Sequence, residues 1–209
     1  MDIRAPTAAS SADRRTRMGE RLRQLRLDRG MTLQHVADRS GLAVSTVSKV
    51  ERGLMALTYD RFSELATGLG VDIAELFSED GERFKAGEVA VAKSGEHRLH
   101  ETDTYLYEML FPDVWGKSMT PMVGNLKPFE TMNFDRFISH AGEEFVFVLS
   151  GRVTVYLQDK VPFVMESGDS MYLDSTRGHL YASSGAEPAR ILVVCTNGAG
   201  AENRLLGET

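Results

Sequence analysis

The sequence predicts a two-domain, α plus all-β chain: a small helical domain followed by an antiparallel β sandwich or barrel. Three observations carry this. Apolar residues recur at helical spacing up to about residue 77 and at a spacing of two beyond about residue 87. The charged, apolar-poor stretch Ser78 to Lys85 (SEDGERFK) divides the two patterns. Charge divides at nearly the same place. Residues 1–53 carry 11 Lys/Arg against 6 Asp/Glu, and the remainder 13 against 24, within an overall net charge of −6. A basic head on an acidic body meets a polyanion through the head alone.

The expected boundaries are a disordered basic tail over 1–17, a helical domain over 18–77, a linker over 78–86, a β domain over 87–198 and a C-terminal tail over 199–209. The first helix runs from Arg17 to Arg29, with Leu22 and Leu25 on one face, and Gly30 ends it. Thr32 is the N-cap of a second helix, Leu33 to Arg39, that buries Val36 and Ala37. Ser40-Gly41 turns the chain into a third, Val44 to Arg52, with Val47 and Val50 inward and Gly53 as its stop. Thr58 caps a fourth, with Phe62, Leu65, Ala66 and Leu69 facing the core, and Ile73 to Phe77 makes a last turn. Strands are expected at Tyr105–Phe111, Glu144–Leu149, Val153–Leu157, Ser170–Leu173 and Arg190–Val194.

Composition excludes several classes. No apolar run approaches the roughly 20 residues of a membrane-spanning helix. The first 17 residues lack the apolar core of a secretory signal, and the cytoplasm is the expected compartment. Cys195 is the sole cysteine, so no internal disulfide forms and no Cys-based zinc site is expected.

The spacing from Thr32 to Gly53, helix, Gly turn, short helix and Gly stop, fits a helix-turn-helix. The stretch MTLQHVADRSGLAVSTVSKVERG resembles the phage-repressor (XRE) family, in a pattern extending over about Met18 to Phe77 and implying five helices. The resemblance implies double-stranded DNA as partner. Val44, Ser45 and Lys49 would touch base edges, with Thr46 and Ser48 outward beside them. Thr32 and Leu33, at the start of the second helix, would meet phosphate. Arg23, Arg52 and the tail's Arg14, Arg15 and Arg17 would also touch the backbone. Glu51 matches a position that pairs with an arginine of the first helix, here Arg26, as a structural staple. Two residues depart from the family pattern: Ala43 stands where a capping Ser or Thr is usual, and Leu57 where Pro is frequent.

Residues His140 to Gly151 (HAGEEFVFVLSG) and Gly168 to His179 resemble the two motifs of the cupin family. This implies a double-stranded β-helix, or jelly-roll, over about Gly87 to Thr196. The family's metal site, carried over by position, offers His140, Glu144 and His179, with Ile138 in place of the first His. Asp174 replaces the usual Pro, and Ser183 an Asn. Two imidazoles and a carboxylate suit one divalent ion: Zn, Fe, Ni or Mn. Direct binding of an organic ligand without metal, and a purely structural role, remain open beside it. Inward positions are expected among Tyr107, Met122, Phe134, Arg136, Phe147, Met171 and Tyr181, with Arg136 and Tyr181 as ligand contacts. The resulting expectation is a homodimeric, effector-sensing DNA-binding regulator, not an enzyme. The alternative is a metal-dependent cupin oxygenase or epoxidase-like enzyme carrying the same head.

Overall fold

A computed structural model describes residues 11–71, 75–76, 82–102, 105–132, 136–185 and 187–196. Among the described residues four helices form the head: α1 Ser11–Asp28, α2 Leu33–Ser40, α3 Val44–Glu51 and α4 Tyr59–Leu69. This corrects the expected five. Of the last turn only Glu75 and Leu76 are described; both are helical, and Leu76 is buried. Helix α1 begins at Ser11, so its first turns occupy part of the stretch expected to be disordered; residues 1–10 lie outside the described ones.

The helix ends follow local chemistry. Gly30 takes φ 63°, and the Met31 N–H donates to the Arg26 carbonyl, closing α1 with a left-handed cap. Thr32 accepts from the His35 N–H, and α2 ends on Gly41 at φ 73°. Ala43 makes no side-chain cap for α3, as its methyl dictates. Thr58 precedes α4, yet its hydroxyl serves the Asp60 carboxylate and not the backbone.

The head closes around Leu22, Leu25, Val36, Val47, Val50, Phe62 and Leu65, all under 5% exposed. Each such burial stabilises by about 1.5–3 kcal/mol. Helices α1 and α3 meet at Gly19, where a Cβ would stand 2.5 Å from the Val50 carbonyl oxygen. The Arg26 guanidinium bonds both Glu51 oxygens, at 2.6 and 2.9 Å, and the Met31 carbonyl at 2.9 Å. The expected staple is present.

Eleven strands among the described residues build the second domain: β1 Glu82–Arg83, β2 Arg98–Glu101, β3 Tyr105–Met109, β4 Val114–Trp115, β5 Met119–Leu126, β6 Glu143–Ser150, β7 Arg152–Leu157, β8 Phe163–Glu166, β9 Ser170–Asp174, β10 His179–Ser183 and β11 Ala189–Thr196. A six-stranded sheet of order β2-β3-β5-β11-β6-β9 faces a three-stranded one of order β10-β7-β8, antiparallel throughout. Within the expected linker, residues 82–83 form a strand: β1 pairs in parallel with β4.

Period-two burial aims one face of each strand into the barrel. On β11, Ala189, Ile191, Val193 and Cys195 are buried, and on β6 Glu144, Val146 and Val148. That alternation turns Phe147 away from the interior, contrary to expectation. Met171 is partly buried against the core without lining the cavity, and Phe134 lies outside the described residues. Gly142, at φ 102°, leaves room for the Thr196 carbonyl, which a Cβ would meet at 2.5 Å. Asp174 Oδ1 accepts from the Thr176 N–H at 2.9 Å and its hydroxyl at 2.7 Å, a side-chain-built turn in place of the family's Pro.

Candidate functional site: a DNA-reading helix and a barrel cavity

On α3, Val47 and Val50 point inward, which leaves Ser45 and Lys49 exposed and Val44, Thr46 and Ser48 half-buried. Arg52 and Arg23 are exposed, and Arg52 Nε donates to the Ser48 carbonyl at 3.1 Å. Thr32 is exposed at the start of α2, whereas Leu33 and Val44 pack partly against the core. The expected contact residues are thus exposed or half-buried, with their charge on Lys49, Arg52 and Arg23. Arg15 and Arg17, expected to reach phosphate, line a cleft of about 190 Å³ between head and barrel, with Arg21 and Arg98.

The second site lies inside the barrel. Glu144 on β6 is 3% exposed and central. Its Oε1 accepts from the Tyr181 hydroxyl at 2.6 Å. Its Oε2 lies 3.3 Å from His140 Nε2, 3.6 Å from His179 Nε2 and 3.4 Å from the Cys195 thiol, which donates to it. Burial pushes the Glu144 carboxyl up, but the His140 bond, the His179 charge and the Tyr181 bond outweigh it, and the net shift is down. Burial, reinforced by Glu144, pushes the Cys195 thiol and Tyr181 phenol up, so both remain protonated donors.

The histidine tautomers bear on what this cluster holds. His140 Nδ1 faces the Ala141 carbonyl at 3.3 Å and His179 Nδ1 faces the Arg177 carbonyl at 2.9 Å. A carbonyl accepts only, so Nδ1 carries a proton on each ring, and the proton that Nε2 directs at Glu144 is the one an incoming cation would displace. Two lone pairs and a carboxylate then converge, an arrangement that a shared cation stabilises. The Nε2, carboxylate and thiol donors of His140, Glu144 and Cys195 all lie within 4.8 Å of one another. The donor set fits a divalent ion.

Cys195 is the donor that sequence reasoning missed, having dismissed a single cysteine as insufficient. Its signal was strand parity: it shares the inward face of β11 with Ile191 and Val193. Ile138, at the family's first His position, is 6% exposed and forms part of the wall. Tyr107, Met122 and Tyr181 line the cavity as expected. Arg136 does not. Its side chain is 45% exposed outside the cavity, and its Nη2 donates to Asp60 Oδ2 of α4 at 2.7 Å. Water solvates the guanidinium there, and the head supplies its carboxylate. Tyr59, also from α4, lines the cavity itself.

Comparison with known proteins matches both halves. Residues 22–76 match the helix-turn-helix family profile and residues 132–195 the cupin-domain profile. The chain is an XRE-type helix-turn-helix protein with a cupin domain. This helix-turn-helix–cupin chain is 25% identical over 185 residues to the HTH-type transcriptional regulator PuuR of Escherichia coli, covering 83% of this chain and 91% of PuuR. An HTH_3 family transcriptional regulator from Vibrio cholerae shares the fold with a TM-score of 0.63 at 18% identity, over 90% of this chain and 98% of that one. Hydroxypropylphosphonic acid epoxidase from S. wedmorenis is 25% identical over 87% of this chain and 97% of its own, at a TM-score of 0.46. So low a score decides nothing about chemistry. Among the described residues no helix is long and apolar enough to cross a membrane.

Proposed function

We propose that this protein is a sequence-specific, DNA-binding transcriptional regulator whose cupin barrel senses a small-molecule effector. One observation carries the reading: α3 keeps Ser45, Lys49 and Arg52 in solvent although the head packs against the barrel. The α3 side chains stay open to solvent while Tyr59, Asp60 and Phe62 of α4 engage the barrel. Val44, Thr46 and Ser48 complete the base-facing set, and Arg23, Thr32 and Leu33 flank it toward phosphate. One eight-residue helix spans only a few base pairs, so two heads read a two-fold operator as a homodimer. The protein acts in the cytoplasm, at the nucleoid.

The barrel cavity, about 20 Å³, has room for a water-sized occupant or an ion. With Tyr59 in place it leaves no space for an organic molecule beside an ion. His140, Glu144 and Cys195, with His179 beside them, would hold the ion. Nitrogen, oxygen and sulfur donors together favour zinc over manganese among the four candidate metals. A bound ion would supply a fixed positive charge against which Glu144 is held ionised.

The test is operator selection from random duplexes, followed by fluorescence anisotropy across a salt series. The logarithm of affinity is expected to fall linearly with that of salt, with a slope of about −0.9 for each phosphate neutralised. An absence of binding to any duplex at low salt defeats the regulator.

A further inference from the structure

The DNA-binding domain supplies a wall of the sensor cavity. Tyr59, the first residue of α4, is 7% exposed. Its ring stands edge-on to His140 with centroids 4.9 Å apart. Its hydroxyl lies beside the Cys195 thiol and Thr120. The phenol therefore touches two of the candidate metal donors directly.

Its neighbours fasten the same short segment to the barrel. Asp60, 2% exposed, holds Arg136 at 2.7 Å. The Leu57 carbonyl meets His100 Nε2 at 3.1 Å, and Phe62 lies edge-on to His100 at 4.7 Å. Phe62 also belongs to the head's own core, and α4 packs on α2. The segment Leu57–Phe62 is thus shared between the cavity and the scaffold that carries the recognition helix. The space left behind the phenol, about 20 Å³, suits one water. A molecule larger than that has room only where the ring now stands.

We propose that Tyr59 is an effector-site residue lent by the DNA-binding domain. It plugs the barrel, and an organic effector enters by taking its place and so releases α4. The occupant's class follows from the plug: a phenol-sized molecule with an apolar body and a single hydrogen-bonding end, seated against Cys195, Thr120 and His140. Binding in the barrel and detachment of the head are then one event, which supplies the differential affinity that any ligand-driven shift requires. The proposal rests on the regulator reading, and its test is independent of DNA.

The test is the rate at which dithiodipyridine modifies Cys195, the sole cysteine, in the folded full-length protein. Tyr59→Ala is expected to raise the rate on the order of tenfold, and p-cresol, the tyrosine side chain as a free molecule, to slow it again. Tyr59→Phe keeps the ring and the slow rate. Arg136→Ala, which touches only the Asp60 pair outside the cavity, is expected to speed modification because the phenol withdraws with α4. Arg152→Ala, at the exposed Glu166 pair elsewhere on the barrel, leaves it unchanged. Equal rates in wild type and Tyr59→Ala, or acceleration in Arg152→Ala, overturn the plug; a silent Arg136→Ala overturns its link to the head. The expected pattern in a protein that binds no duplex would keep Tyr59 in its place and remove the regulator reading alone.

Discussion

Glu51→Ala removes a buried carboxylate that joins three elements of the head. Arg26 lies on α1, Glu51 ends α3, and the Met31 carbonyl precedes α2. The Arg26 and Glu51 side chains are 10% and 7% exposed, so water replaces the lost partner only in part. The guanidinium keeps one of its three hydrogen bonds, the one to Met31. Breaking a buried pair from one side costs about 3–5 kcal/mol. That is a large part of the roughly 5–15 kcal/mol that holds a domain folded. Urea unfolding followed by circular dichroism at the helix band is expected to show a loss near the lower end of the range, about 3 kcal/mol, because the guanidinium reaches some solvent. The rank order of operator variants, measured by anisotropy at low temperature, is expected to stay unchanged. Arg26→Met combined with Glu51→Met restores much of the loss, since an apolar pair leaves no buried charge. A loss under about 1 kcal/mol, the ordinary worth of an exposed pair, would refute the staple. So would altered base preference in a fully helical Glu51→Ala protein.

Other outcomes follow from the same geometry. Lys49→Ala is expected to cost about 1–3 kcal/mol and relax preference at one operator position, whereas Arg52→Ala weakens all duplexes alike and lowers the salt slope by about 1. Anisotropy on a panel of operator variants separates the two. The cobalt-loaded protein is expected to show a sulfur-to-metal charge-transfer band that Cys195→Ser abolishes, and a cobalt-loaded wild type without that band removes the thiol from the site. Glu108 provides a pH handle: the Asn125 hydrogen bond at 3.0 Å, against some burial and with Arg190 helping, holds its carboxyl below the ordinary 4.5. A lowered carboxyl stabilises the fold above its unfolded value, and that contribution is lost as pH falls through the folded value. The urea midpoint is expected to drop on acidification below about pH 4.5, less steeply in Asn125→Ala.

Helical periodicity located Val47 and Val50 inward on α3, and parity placed Glu144 on the inner face of β6, because local spacing alone determines which side of an element a residue takes. Such reasoning passed over β5. Its Pro121 and Gly124 argue against a strand, yet it lies between β3 and β11. Pro121 sits just beyond the β3 pairing, which ends at Met109, and its carbonyl accepts from the Leu110 N–H at 3.3 Å. Arg136 was misplaced for a related reason: residues next to a motif share its sequence neighbourhood without sharing its direction.

The order of residues was enough to set the two domains, the reading helix, the Arg26–Glu51 staple and the His140–Glu144–His179 group, since each rests on spacing within one element or motif. Only the folded chain decided that Cys195 joins that group, that Arg136 turns to Asp60 and that Tyr59 enters the barrel. Those contacts link segments 51 to 136 residues apart. Pairings at such range depend on how whole elements pack, and no local period encodes them.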